Sequence, residues 1–448
     1  MTLFKERLID YLPSWLLGFC AYVVHPLKYY RLSKESFFLS QDYLEKQRLL
    51  HNKAIEKLKC KNTWNCVFFA IYESVWKYDA LYRLMERNER FNPTVLVCPA
   101  VNRGRKHMLE SLHHCYDSFK KRGYNVLLSY NDEKGTYVDV RKELNPDIIF
   151  YTNPYKGLID DRYYIYQFRD LLTVYVTYGF GNTKDFSFNF NQPLHNLVWR
   201  NYVETNKHLD YARLGGNNNG RNTVVTGYLG IENLIDTQYK VKNNYWKFHD
   251  NQRKKIIWAP HHTLEPVGPI HFSCFLDYCD FMVDLAKKYA EKIQIAFKPH
   301  PLLRPKLEQL WGEEKTNSYY ETWANMSNTS LVEGDYIDLF LTSDAMLHDC
   351  GSFLIEYLYV NKPVMRTSNG IPLEDLFNDF TLEALKYYYH AFKTKDVERF
   401  ICDVINGIDL LKEQRTAYVN EVLMPKGGLP SENILNDIIN SIDHNENT

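Results

Sequence analysis

Residues 256–263 read Ile256-Ile257-Trp258-Ala259-Pro260-His261-His262-Thr263, and residues 293–301 read Ile293-Gln294-Ile295-Ala296-Phe297-Lys298-Pro299-His300-Pro301. Each is a short apolar run that breaks off into proline and histidine. Strands buried on both faces look like this, because helices cover a parallel sheet above and below. Between the two runs, Phe275 to Glu291 carries Tyr278, Met282, Leu285 and Tyr289 at a spacing that puts them on one helical face. Strand, helix, strand in that order predicts a βαβ unit with a histidine at the carboxyl end of each strand.

Working outward, the same alternation continues. Ala345 to Leu347 and Pro363 to Arg366 are strand candidates, Ser352 to Val360 is a helix between them, and helices close the chain, the last over Ser431 to Ile442. The N-terminal half repeats the pattern, with strands expected at Cys66 to Ile71, Thr94 to Cys98, Asn125 to Ser129, Asp147 to Tyr151, Leu172 to Val176 and Val224 to Gly227. Helices are expected over Gln41 to Lys59 and Lys106 to Arg122. Gly215, Gly216, Asn217, Asn218, Asn219 and Gly220 read as a flexible loop, and the polar stretch Asp236 to Lys255 as a linker. The fold class is therefore α/β, with two Rossmann-like lobes and a cleft between them, plus an N-terminal helical segment. The expected division is 1–60 for that segment, 61–240 for the first lobe and 250–448 for the second with its closing helices. Open sheets of this kind bind ligands beyond the carboxyl ends of their strands.

Composition narrows the function. A chain of 448 residues, 45% hydrophobic, has room for two domains. With 54 basic and 55 acidic residues the net charge is -1, which argues against general nucleic-acid binding. The 9 cysteines are scattered without CxxC pairs and read as reduced thiols. Tyr11 to Leu27 is apolar and followed by Lys28 and Arg31. Interrupted by Pro13, Gly18 and His25, it suits an interfacial helix on a membrane surface better than a spanning one. A helix packed on the protein's own surface is the alternative.

Three strand ends carry candidate chemistry. His262, in the run Pro260 to Thr263, is a candidate general base. Lys298 and a protonated His300, held by two prolines, suit a phosphate. His348, Asp349, Cys350, Gly351 and Ser352 lie between a strand and a helix, where backbone amides, the serine hydroxyl and the helix dipole favour an anion. Ser352 could equally be an ordinary helix cap. Glu356, one turn on, is placed to meet a ribose hydroxyl. A diphosphate needs a converging set of this kind.

In order and spacing, Lys255 to Arg366 resembles the CDP-glycerol glycerophosphotransferase family, which builds teichoic acids and related capsules. The family's Pro-Thr-His-Arg corresponds to Pro260 to Thr263, and its basic-x-His-Pro to Lys298 to Pro301. Its Thr-Asp-Tyr-Ser-Ser run, followed by an acidic residue and Lys-Pro, corresponds to His348 to Ser352, Glu356 and Lys362-Pro363. The resemblance implies a GT-B fold and a CDP-linked donor. It makes His262 and His300 catalytic or phosphate-binding, with His300, His348, Gly351, Ser352 and Lys298 around the donor phosphates and Glu356 at the ribose or cytidine. Thr263, Gly351 and His348 depart from the family's arginine, serine and threonine. In the first lobe, Glu73, in the run Tyr72 to Trp76, and the run Tyr178 to Gly181 face the acceptor side. Glu73 is an alternative base where the family tends to have a histidine.

The expected reaction is metal-independent transfer of a polyol phosphate to a polysaccharide or lipid-linked acceptor, without a cofactor, on the cytoplasmic face of the membrane. Two other readings are a glycosyltransferase using a CMP- or UDP-sugar and a non-catalytic assembly subunit. A zinc site built from His261, His262, His300 and His348 is a further one.

Overall fold

The computed structural model describes residues 39–444 apart from 185, 250–251 and 266–270. The apolar stretch Tyr11 to Leu27 lies outside the described residues. Among those described, no helix is long and apolar enough to cross a membrane.

Two parallel sheets organise the chain. The first contains β1 (Trp64–Ala70), β2 (Phe91–Val97), β3 (Val126–Leu128), β4 (Ile148–Tyr151), β5 (Leu172–Val176), β6 (Arg200–Val203) and β7 (Thr223–Val225), in the order β3-β2-β1-β4-β5-β6-β7. The second contains β8 (Lys254–Ala259), β9 (Ile293–Phe297), β10 (Thr329–Leu331), β11 (Ala345–His348), β12 (Val364–Thr367) and β13 (Tyr389–Ala391), in the order β10-β9-β8-β11-β12-β13. In each sheet the winding starts at a central strand, goes out one way, then reverses. The reversal leaves a crevice beside β1 in one lobe and beside β8 in the other, at the carboxyl ends. Trp258 pairs with Phe297 and Ala259 with His348. The loops after β8, β9 and β11 therefore leave the sheet side by side at the second crevice.

β8, β9 and β11 are buried along nearly their whole length, as their apolar runs require. The helix Phe275–Lys288 presses Phe275, Tyr278, Met282 and Leu285 onto the sheet. Each such side chain contributes roughly 1.5–3 kcal/mol. Three strands of these two sheets were not expected. β10 and β13 are three-residue edge strands. β6 opens on two polar residues, held by distant partners: Arg200 Nε donates to Asp437 (2.9 Å), and the Asn201 amide donates to Thr223 Oγ1 (3.3 Å).

Three other expectations change. The closing helix, Pro430–Asp443, does not stay with the second lobe. Its stripe Ile434, Ile438 and Ile442 joins the first-lobe core with Trp64 and Tyr82, and Arg90 pairs with Asp443 at its end. The supposed flexible loop at 215–220 is tied down by amides. Asn218 N–H donates to Asn196 Oδ1 (3.0 Å), its side chain donates to Asn222 Oδ1 (2.7 Å), and Asn217 N–H donates to Asn191 Oδ1 (3.0 Å). Asparagine supplies both donor and acceptor, so a run of them can knit a loop internally. The helix expected over Ser352 to Val360 is one α turn, Phe353–Glu356, followed by a 3-10 turn, Tyr357–Val360. The described cysteines are all free thiols.

Candidate functional site

The loop after β8 is fixed by a single buried carboxylate from the end of β11. Asp349 accepts from the His261 backbone N–H (2.5 Å) and from the Cys274 N–H (2.6 Å). The loop after β9 is tied to the same place, because His300 N–H donates to the Pro260 carbonyl (3.1 Å). Three imidazoles consequently meet. Ring centroids are 4.2 Å apart for His262 and His300, 4.3 Å for His261 and His262, and 5.0 Å for His261 and His300.

Burial holds all three rings neutral near pH 7. It lowers His261 to about 2, His262 to about 3 and His300 to about 4, and the neighbouring Lys306 ammonium pushes each further down. The expected protonated His300 is thus a neutral one, since a charge would lose its hydration and face Lys306. Lys306, on the helix Leu303–Trp311, was not singled out from the sequence.

A backbone N–H can only donate, which fixes two tautomers. Leu302 N–H points at His300 Nδ1 (3.1 Å), so that nitrogen is an acceptor and the ring proton sits on Nε2. Thr263 N–H points at His261 Nδ1 (3.4 Å), with the Thr263 hydroxyl 2.9 Å away, and the same assignment follows. Both rings therefore carry their N–H donor on Nε2.

One ring nitrogen of each histidine lies within 4.8 Å of the others, so a metal must be considered. A ligating histidine uses one nitrogen's lone pair and donates its other N–H to an acceptor. His261 and His300 have the reverse arrangement, with backbone donors at Nδ1. The cluster fits an anion better than a cation. His348 does not join it. As the last residue of β11 it is buried against the Tyr388 hydroxyl (3.3 Å), its Nδ1 unpartnered, so the four-histidine zinc set does not form.

The remaining donor-side residues fall into two groups. Ser352 is exposed, and its hydroxyl makes no capping bond, which leaves it open to a ligand. Gly351 lies against Phe272: a Cβ there would come within 3.1 Å of the ring, so phenylalanine fills the space a serine would need. Phe272 also packs on the His261 ring (5.4 Å), joining the two loops. Lys298 and Glu356, by contrast, point inward. Lys298 Nζ donates to the Gly334 carbonyl (2.7 Å), and burial lowers it to about 8. Glu356 is buried beside Tyr336 and Tyr228 with Lys77 of the first lobe near it, and burial raises its carboxyl.

The lobes meet at this site. Asn182 of the first lobe donates to the Gly351 carbonyl (2.9 Å), and Asn378 and Thr381 of the second hold the Asn182 segment in turn. A cavity of about 820 Å³ lies between the lobes, lined by Tyr72, Glu73 and Lys77 on one side and Pro301, Gly334 and Tyr336 on the other. Glu73 stands within 3.7 Å of Arg122 and 3.9 Å of His114. Tyr178 donates to or accepts from Tyr155 (3.2 Å). Sequence reasoning gave no role to Asp349, Asn182 or Lys306; the first two act through partners far away in the chain.

Residues 221–370, which contain all three strand-end motifs, match the family model of CDP-Glycerol:Poly(glycerophosphate) glycerophosphotransferase, the family the motifs resemble. No curated protein sequence matches the chain significantly. Among solved structures, the wall teichoic acid polymerase TagF is similar with a TM-score of 0.56 at 12% identity, over 90% of this chain and 95% of that one. MnaA of S. aureus with UDP gives 0.53 at 16%, over 86% and 99%. The UDP-GlcNAc 2-epimerase of Neisseria meningitidis bound to UDP-GlcNAc gives 0.53 at 13%, over 84% and 99%. These likenesses establish the two-lobed fold.

Proposed function

We propose that the chain transfers a polyol phosphate, glycerol phosphate or a close relative, from a CDP-linked donor to a cell-surface polysaccharide or teichoic-acid-like acceptor, releasing CMP. The observation that carries this reading is the meeting of His261, His262 and His300 at the crevice of the family-matched lobe. With the donor's diphosphate charge beside the ring raising its basicity, His262 takes the proton of an acceptor hydroxyl, whose oxygen attacks the β-phosphorus. The bond from that phosphorus to the bridging oxygen breaks, and CMP leaves with the electron pair. Neutral N–H donors and the Ser352 hydroxyl stabilise charge on the phosphate oxygens without themselves needing a proton. Lys306 adds a positive field. Glu73, on the first-lobe wall of the cavity, serves the acceptor side as an alternative base. No metal is required by these steps. Such an enzyme works on the cytoplasmic face of the membrane, and Tyr11 to Leu27 is the segment suited to hold it there.

A sugar transfer from a UDP-linked donor is the second reading. It is favoured by the similarity to UDP-bound structures over most of the chain. Incubating the purified chain with CDP-glycerol, CDP-ribitol, UDP-GlcNAc and a CMP-sugar, and measuring nucleotide release, separates them. CMP from a CDP-polyol supports the proposal. UDP release alone moves the assignment to the second reading.

A further inference from the structure

The family's motif has threonine where this chain has His261, and arginine where it has Thr263. The structure shows what the exchange builds. Thr263 is buried and turned inward. Its hydroxyl accepts from the Phe272 and Ser273 N–H groups (2.9 and 3.3 Å) and lies 2.9 Å from His261 Nδ1. With both Thr263 acceptor positions taken by amides, its own hydroxyl proton is directed at His261 Nδ1, in agreement with the Thr263 N–H on that nitrogen. The His261 main chain is held by Asp349, and Ser273 Oγ donates to the His261 carbonyl (2.8 Å). Every polar atom of His261 except Nε2 is therefore engaged with the protein. Among the described residues nothing hydrogen-bonds to Nε2, which carries the ring's proton beside His262 and His300.

A side chain fixed this thoroughly with one donor left over is arranged for a ligand acceptor. We propose that His261 is a third phosphate-binding residue, its Nε2–H donating to a diphosphate oxygen of the donor, with Thr263 as the residue that sets its tautomer. His261 and Thr263 together then take over charge recognition that an arginine would otherwise supply. They do so with a neutral donor that cannot form the bidentate pair of a guanidinium. This rests on the donor reading above and extends it to a residue outside the two motif histidines.

The test is calorimetric titration of the full-length chain with CDP, a nucleoside diphosphate, at pH 7.5, alongside His261→Ala, His261→Gln and His300→Ala. Glutamine places an N–H close to where Nε2 stands. The expected result is a loss of about tenfold or more in CDP affinity for His261→Ala, with glutamine restoring most of it. Nitrogen NMR of the wild-type imidazoles keeps the claim testable should the alanine variant unfold, and must show His261 protonated on Nε2. Wild-type affinity in His261→Ala combined with lost affinity in His300→Ala overturns the His261 assignment and leaves the donor reading standing. A wild-type chain that binds no CDP defeats both. A Nδ1–H tautomer, or tight stoichiometric zinc that displaces CDP, overturns the anion site.

Discussion

Lowering the pH from 7.5 to 5.5 tests how firmly the fold keeps its histidines neutral. His51, His195, His208, His261 and His348 are all at least nine-tenths buried. Burial lowers each to about 3, or to about 2 for His261. In the unfolded chain they titrate near 6.5. Between these values the unfolded state binds more protons, so stability falls as pH falls below 6.5. One pH unit below 6.5, each histidine costs about 1.4 kcal/mol, and the five about 7 kcal/mol. Four buried carboxyls, Glu204, Asp349, Glu232 and Glu356, are raised by burial and act the other way. Burial raises Glu204 to about 7 and Asp349 to about 6. Their folded forms take up protons first, so stability rises as pH falls through those values, returning roughly 3 kcal/mol by pH 5.5. Those five histidines and the pair Glu204 and Asp349 leave a net loss of about 4 kcal/mol, with Glu232 and Glu356 acting against it and His262 and His300 adding to it, a large part of an ordinary domain's stability of about 5–15 kcal/mol. Urea unfolding followed by tryptophan fluorescence at the two pH values measures it. Equal midpoints at pH 7.5 and 5.5 would refute the claim that these rings are buried without charge.

Three further outcomes are expected. His300→Ala should leave the unfolding midpoint nearly unchanged but lower turnover by about 10² or more, measured as CMP release; undiminished turnover would remove the proposed mechanism. Gly351→Ser should destabilise the fold by about 1 kcal/mol through overpacking against Phe272, and a second change, Phe272→Leu, should recover part of it in the same urea assay. Deleting Met1 to Tyr30 should move the protein from the membrane fraction to the supernatant on sedimentation, and an unmoved distribution would count against the membrane segment.

Much of the second lobe was legible because its strands are short apolar runs ending in proline and histidine. The start of Phe275–Lys288 fell where the pattern put it, as did Leu172–Val176 in the first lobe. Short edge strands were not legible, since three residues such as Thr329–Leu331 carry no period and are made by pairing with β9. The strand-end histidines were found by position, but their facing was not. Strand alternation puts His348 on the face of Met346, away from Ala345 and Leu347, and that face leads to the core around Tyr388. Lys298 likewise looked like a phosphate ligand until its ammonium was seen to meet the Gly334 carbonyl. Tautomers lie wholly beyond sequence: whether His300 offers a proton or a lone pair was decided by one amide, Leu302 N–H, two residues along a turn.

The most direct measurement is a crystal structure of the chain soaked with CDP. The account predicts the β-phosphate within hydrogen-bond distance of His300 Nε2 and the His261–His262 pair, with the Ser352 hydroxyl on the same diphosphate. Density for CDP anywhere else, with the three rings contacting only protein and water, would contradict it.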